Sequence, residues 1–245
     1  MKTAVAGLEP GVHFITGTDT GVGKTVFTAL LLRALRAAGI AVVAVKPFCS
    51  GGRGDARALF RALGGSLPME AINPWHFRAP LTPLLAARRC GRKVSQEEVL
   101  QHIRHVATGA GRTLVEGAGG LLSPLGEDYA ARELLVALRA TPWIVCPNRL
   151  GALNQCRLAL AALPRPFERR ARLVLMSGPA ATGCARSNRD LLGEFIDPQR
   201  IVSVPYLGSQ PLAAPVPRVI HRLAQASGGP ADAVGPGGPG RQRRS

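Results

Sequence analysis

The stretch Gly17–Thr25, GTDTGVGKT, constrains the fold of this chain more than any other. It stands between Val12–Thr16, which reads as an apolar strand, and Thr25–Ala38, which reads as a helix stopped by Gly39. A glycine-bearing turn at that junction lets backbone N–H groups curl around an anion, with the positive end of the helix dipole behind them. Lys24 can then reach β- and γ-phosphates, and the Thr25 hydroxyl suits a magnesium ion bound with them. The commonest form of such a loop is GxxxxGK[ST]. Here that register puts Thr18 at the first glycine, with Gly17 one residue earlier. The bland alternative, a glycine turn before a core helix, leaves Lys24 at a buried-looking junction without a role.

The rest of the pattern alternates short apolar strands with helical segments, which predicts a parallel sheet with crossover helices. Strands are expected at Ile40–Val45, Thr113–Val115, Trp143–Cys146, Arg172–Met176 and Ile201–Val204. Helices are expected at Asp55–Leu63, from a Ser95–Glu98 capping box to Ala107, at Ala130–Arg139, Gly151–Leu163 and Pro217–Ser227. NPWHF, with His76, reads as a turn. His102 and His105 share a helix face and carry no chemistry in this reading. A chain of 245 residues, 46% of them hydrophobic, can bury one sizeable core. One domain is expected over residues 1–226, followed by a disordered Gly/Pro/Arg-rich tail over 227–245.

The formal net charge is +16, yet only residues 2, 24, 46 and 93 are lysines. The excess is arginine, mostly scattered singly, and aromatics are only 4%, too few for base stacking. No specific nucleic-acid partner is expected. No apolar run reaches the roughly 18 residues that span a bilayer, so no membrane partner is expected either. Five cysteines without a CxxC pair read as reduced thiols of a cytoplasmic protein.

Two further clusters lie where strands end. In VKPFCSGGRGDA, Lys46 falls at the carboxyl end of a strand, the edge at which α/β sheets bind ligands. Ser50 offers a hydroxyl, and Asp55 is either a metal ligand or a helix N-cap. In TLVEGAGGLLSP, an apolar strand delivers Glu116, and the following glycines permit close ligand approach. With Thr25 and Asp55, Glu116 completes a candidate set of magnesium ligands.

Taken together, GTDTGVGKT, KPFCSG, NPWHFRAPLTP, VEGAGGLLSP, NRLGALNQ and PYLG resemble, in order and spacing, the blocks of the dethiobiotin synthetase family. The resemblance runs from about Phe14 to Leu207. It implies an α/β fold of the P-loop NTPase type, a mostly parallel sheet with helices on both faces, in a homodimer. It implies an ATP- and Mg²⁺-dependent ligase of biotin biosynthesis, which uses CO₂ to close a cyclic urea on 7,8-diaminononanoate. By resemblance, Asp19, Thr20, Gly21, Val22, Gly23, Lys24 and Thr25 hold the nucleotide phosphates. Ser177 falls where the family often has an adenine-reading Asn, which leaves ATP, GTP and CTP open. Lys24, Lys46 and Thr20 are the implied catalytic groups. Thr25, Asp55 and Glu116 hold the metal, and Thr20, Lys46, Ser50 and Gly119 face the carbamate and the diamine. Gly151, Ala152, Leu153 and Asn154 of the second subunit take the substrate carboxylate. In related partition and division ATPases, the Asp19 position carries a signature lysine, a role Asp19 cannot fill. Gly21 stands where some members have Glu, the segment from Ser50 to Asp55 is short, and Pro147-Asn148-Arg149 precedes the carboxylate helix. The alternatives are a relative of the cobyrinate synthetases, for whose glutaminase domain no room remains after residue 207, and an ATPase switch.

Overall fold

Gly17 is tied to the middle of a sheet by the strand that ends on it. The computed structural model describes residues 8–179 and 183–225, and for residues 183–186 the backbone only. In chain order the elements are β1 (Gly11–Gly17), α1 (Lys24–Ala37), β2 (Val42–Val45), β3 (Phe48–Ser50), α2 (Gly54–Ala62), α3 (Met69–Ile72), β4 (Trp75–Phe77), α4 (Pro83–Arg89) and α5 (Gln96–Ala107). There follow β5 (Arg112–Gly120), α6 (Ala131–Ala137), β6 (Thr141–Pro147), α7 (Ala152–Ala161), α8 (Arg165–Arg170), β7 (Arg172–Met176), α9 (Gly183–Gly193), β8 (Ile201–Val204) and α10 (Arg218–Gln225).

The main sheet has the order β2-β5-β1-β6-β7-β8, with every pair parallel. The chain leaves β1 toward one edge, returns through β5, then crosses to β6 on the other side. The strand order therefore switches direction at β1, and ligands of open α/β sheets bind beyond the carboxyl ends at that point. Successive residues of each strand face opposite ways. Phe14, Val115, Ile144 and Leu173 pack on one face with α5, α6 and α7. Ile15, Leu114, Trp143 and Val174 pack on the other with α1, α2 and α10. Helices on both faces explain why the strands read as continuous apolar runs.

The expected strands and helices are present with small changes of boundary. The predicted capping box opens α5: Glu98 N–H donates to Ser95 Oγ, and Ser95 N–H donates to Glu98 Oε2. Two readings change. NPWHF is not a turn, because Trp75–Phe77 forms β4 and pairs with Phe48–Ser50. The cause is tertiary: Trp75 stacks on Phe48 at 5.4 Å, and buried Asn73 donates to the carbonyls of Lys46 and Pro47. Second, β5 does not end near Glu116 but runs on to Gly120, which pairs with Gly17 past an irregularity in register. Helices α3, α4, α8 and α9 were not anticipated. The expected tail over 227–245 lies outside the described residues. Cys49, Cys146 and Cys156 are buried free thiols and Cys90 is an exposed one. Among the described residues, no helix is long and apolar enough to cross a membrane.

One buried histidine couples this core to pH. His13 Nε2 lies 2.7 Å from the carbonyl of Glu9, and Trp143 Nε1 donates to His13 Nδ1 at 3.2 Å. A carbonyl can only accept and an indole N–H can only donate, so the ring is the neutral Nε2–H tautomer. Burial, with Arg172 and Arg112 nearby, lowers its pKa from 6.5 to about 4. The unfolded chain therefore binds the extra proton first, and stability falls as the pH drops from about 6.5 to about 4. At 1.36 kcal/mol per pH unit, the loss approaches about 3 kcal/mol. Urea unfolding between pH 7 and 4 should show this slope, and His13→Gln should remove it.

Candidate active site

The phosphate loop is built around close approach at Gly17. A Cβ there would stand 2.6 Å from Val22 Cγ2, 2.9 Å from the Asp19 carbonyl and 3.2 Å from Lys24 Nζ. The glycine requirement thus falls at 17, which explains how Thr18 occupies the position that is usually glycine. Gly21 and Gly23 take positive φ, 73° and 100°, where a side chain would be strained. Lys24 is buried at the start of α1, and its ammonium donates to the Asp19 carbonyl at 2.8 Å. Burial, with Lys46 adding repulsion, lowers its pKa to about 8. A proton is therefore costly to keep there until an anion arrives.

Lys46, Glu116, Asp55 and Thr25 meet where β1, β2 and β5 approach the loop. Glu116 is 0% exposed. Its Oε1 accepts from Lys46 Nζ at 2.7 Å and from Thr25 Oγ1 at 2.6 Å, while Oε2 is buried with no partner among the described residues. Lys46 also donates to the Gly117 carbonyl at 3.0 Å and lies 3.1 Å from Asp55 Oδ2. Burial alone would depress the Lys46 pKa, but Glu116 and then Asp55 outweigh it and hold it above the ordinary value. Lys46 in turn holds the Asp55 carboxyl low, against burial that works the other way. The Asp55 side chain remains 53% exposed toward the cleft. Its arrival here shows that the short segment after Ser50 is long enough, because α2 begins at Gly54 and presents Asp55 in its first turn.

Lys24, Thr25, Lys46 and Asp55 line a cleft of about 480 Å³ together with Thr20, Gly21, Gly23, Ser50 and Gly119, while Glu116 is buried and does not line it. Ser50 Oγ is buried and has no hydrogen-bond partner among the described residues. Gly119 holds φ at 69°. Phe48, Cys49, Pro80–Pro83 and Ser123 also line the cleft. Residue-by-residue reading missed Pro80–Pro83 and Ser123, although they lie inside the blocks APLTP and GGLLSP.

Other expected residues lie apart from the cleft. Asp19 lines a neighbouring hollow of about 490 Å³ with Thr18 and Gln155, and Val22 is packed under the loop. Ser177 follows β7, with its N–H on the Val204 carbonyl, and does not line the cleft. Gly151, Ala152, Leu153 and Asn154 form the start of α7, also away from the cleft. Gly151 has φ 90° and no side chain caps this helix. The Ala152 N–H is already bonded to the Arg149 carbonyl, so the open N–H groups are those of Leu153 and Asn154. Asn188 of α9 braces this entry by donating to Asn148 Oδ1 and to the Arg149 carbonyl.

Two carboxylates and a hydroxyl, with one buried carboxylate oxygen unpartnered, form a hard oxygen set of the kind that binds a small divalent cation together with phosphate oxygens and water. Among the described residues, no group of three or more His, Cys, Asp or Glu side chains could hold a metal by itself.

Fold and site together define an α/β protein of the P-loop NTPase class. The fold is shared with the cell-division protein MinD of Aquifex aeolicus (TM-score 0.54, 14% identity, covering 88% of this chain and 95% of that one) and with pNOB8 ParA bound to nonspecific DNA (TM-score 0.51, 15% identity, 89% and 96%). The family described as AAA domain matches residues 12–213. The ATP-dependent dethiobiotin synthetase BioD of Anaeromyxobacter dehalogenans (strain 2CP-C) is 45% identical over 156 residues, 62% of this chain and 70% of that protein. Proteins of the same name from Mycobacterium sp. (strain KMS) and Ralstonia nicotianae are 41% and 32% identical, covering 75% and 86% of this chain and 83% and 92% of their own. The chain belongs to the ATP-dependent dethiobiotin synthetase family.

The four lysines make the electrostatics of the cleft measurable. In a ¹³Cε-lysine NMR titration of the nucleotide-free protein, Lys24 should titrate near pH 8. Lys46 should keep its proton past the ordinary lysine range. A Lys24 that keeps its proton well above pH 8 would contradict the burial described here.

Proposed function

We propose that this protein makes dethiobiotin, ADP and phosphate from 7,8-diaminononanoate, CO₂ and ATP, in a homodimer. The observation that carries this reading is Lys46, clasped by Glu116 and Asp55 beside Lys24 on one rim of the cleft. One amine of the substrate attacks CO₂, forming an N–C bond and releasing a proton, to give a carbamate. A carbamate oxygen attacks the γ-phosphorus, and the bond to the ADP oxygen breaks. The second amine then attacks the carbamoyl carbon, forming the second C–N bond and expelling phosphate. These steps need positioning and charge neutralisation more than new covalent chemistry from the protein.

Lys24 and Lys46 supply fixed positive charge to the transferring phosphoryl group. Ser50, whose buried hydroxyl has no protein partner, and Thr20 orient the carbamate. Gly119 lets the ligand approach the backbone closely. Thr25, Asp55 and Glu116 would hold Mg²⁺, which when bound neutralises the phosphate oxygens. That set is pre-arranged around the Lys46 ammonium, and the unpartnered Glu116 Oε2 supports its use.

The start of α7 would serve the partner's site, with the N–H groups of Leu153 and Asn154 donating to the substrate carboxylate. Its distance from the cleft supports this reading, as does the exposure of Leu150 (83%) and Leu158 (62%) nearby, which a second copy would cover.

Incubating the protein with the diamine, labelled bicarbonate and ATP, GTP or CTP should give the labelled cyclic urea. Nucleotide hydrolysis without that product would overturn the proposal. Lys46→Met should lower kcat by about 10²–10³-fold. Two inactive variants, Lys46→Met and Asn154→Asp, should recover activity when mixed, up to about a quarter of wild type, because each mixed dimer contains one intact site. No recovery after confirmed subunit exchange would place the carboxylate site within one chain.

A further inference from the structure

Ser123 is fixed more tightly than a surface serine needs to be. The backbone turns at Gly120–Ser123, with Ser123 N–H on the Gly120 carbonyl at 3.1 Å. Gly120 N–H returns a bond to Ser123 Oγ at 2.8 Å. The Ser123 carbonyl accepts from Ala131 N–H at 3.2 Å, which ties the turn to α6. The hydroxyl oxygen is thus an acceptor within the turn, and its own proton has no protein acceptor among the described residues. A hydroxyl has one donor and two acceptor sites, so this proton is available to a ligand.

Its surroundings say where that ligand lies. A Cβ built on Gly119 would stand 2.3 Å from Ser123 Oγ and 3.8 Å from Thr20 Oγ1. The two hydroxyls therefore converge over the bare Cα of Gly119, and any larger residue at 119 would fill the space between them. Ser123 lines the phosphate-loop cleft, and it also lines the second hollow beside Thr18, Gln155 and Leu158. It is therefore shared by the two hollows.

We infer that Ser123 is a substrate-orienting residue, whose hydroxyl donates to the anionic oxygen of the carbamate held against Thr20 and Gly119. The inference rests on the dethiobiotin-forming reading. It adds a second hydroxyl donor to that of Ser50 in the same cleft. The acceptor role of Ser123 toward Gly120 N–H leaves the hydroxyl proton able to turn to the ligand.

Three substitutions separate this role from simple support of the turn. Ser123→Ala removes donor and acceptor and should raise the KM for the diamine about ten- to a hundredfold, as for a hydrogen bond to a charged group, with the KM for ATP within about twofold. Ser123→Asp keeps an acceptor for Gly120 N–H but has no proton to give. It should keep the wild-type melting temperature and be at least as impaired as Ser123→Ala. Ser123→Thr keeps both functions and should stay within about threefold of wild type. An active Ser123→Asp enzyme with an unchanged KM for the diamine would overturn the inference and leave Ser123 a turn residue. A wild-type protein that forms no cyclic urea would instead overturn the reading on which it rests.

Discussion

A buried ammonium between two carboxylates holds this site together. Lys46 and Glu116 are taken out of water by the sheet, and neither charge could remain there without the other. Each is delivered by a different strand, and the Thr25 hydroxyl arrives on the first turn of α1. The pairing therefore fixes how β2, β5 and the phosphate loop meet. Removing one member would leave a buried charge uncompensated, so the cluster is a structural joint that also fixes the Lys46 ammonium at the cleft.

Lys24 illustrates the other half of the design. Its ammonium has no carboxylate in hydrogen-bond contact, only the carbonyl of Asp19, and it sits close enough to Lys46 to feel its repulsion. The empty protein thus holds one lysine in a stabilised state and one in an unfavourable one. An incoming polyphosphate relieves the second. A loop poised in this way favours anion binding through relief of a strain that already exists in the folded state.

Much of this architecture was legible in the sequence, for physical reasons that differ by element. The β1–loop–α1 unit, β7 and β8 were clear because strands covered on both faces are mostly apolar. Lys46 and Glu116 could be placed because charged residues directly after apolar runs fall at the sheet edge. What was not legible depended on distant contacts. The pairing of β3 with β4 relies on Asn73 reaching back to Lys46 and Pro47 and on Trp75 stacking on Phe48. The extension of β5 through glycines that disfavour strands relies on pairing with Gly17. Ser123 stayed hidden because a serine in a turn is ordinary until its closeness to Gly119 and Thr20 is known. The dependence of the α7 start on Asn188, forty residues later, has no local signature either.

The two acids of the cluster are mounted differently. Glu116 rides on a central strand, whereas Asp55 is carried by the opening turn of α2, reached through Gly51 and Gly52. Only where that helix begins matters for Asp55, so the connecting segment is free to shorten or lengthen as long as it returns α2 to the same origin. Drift in loop length can then accumulate beside the most demanding chemistry of the molecule without reaching it.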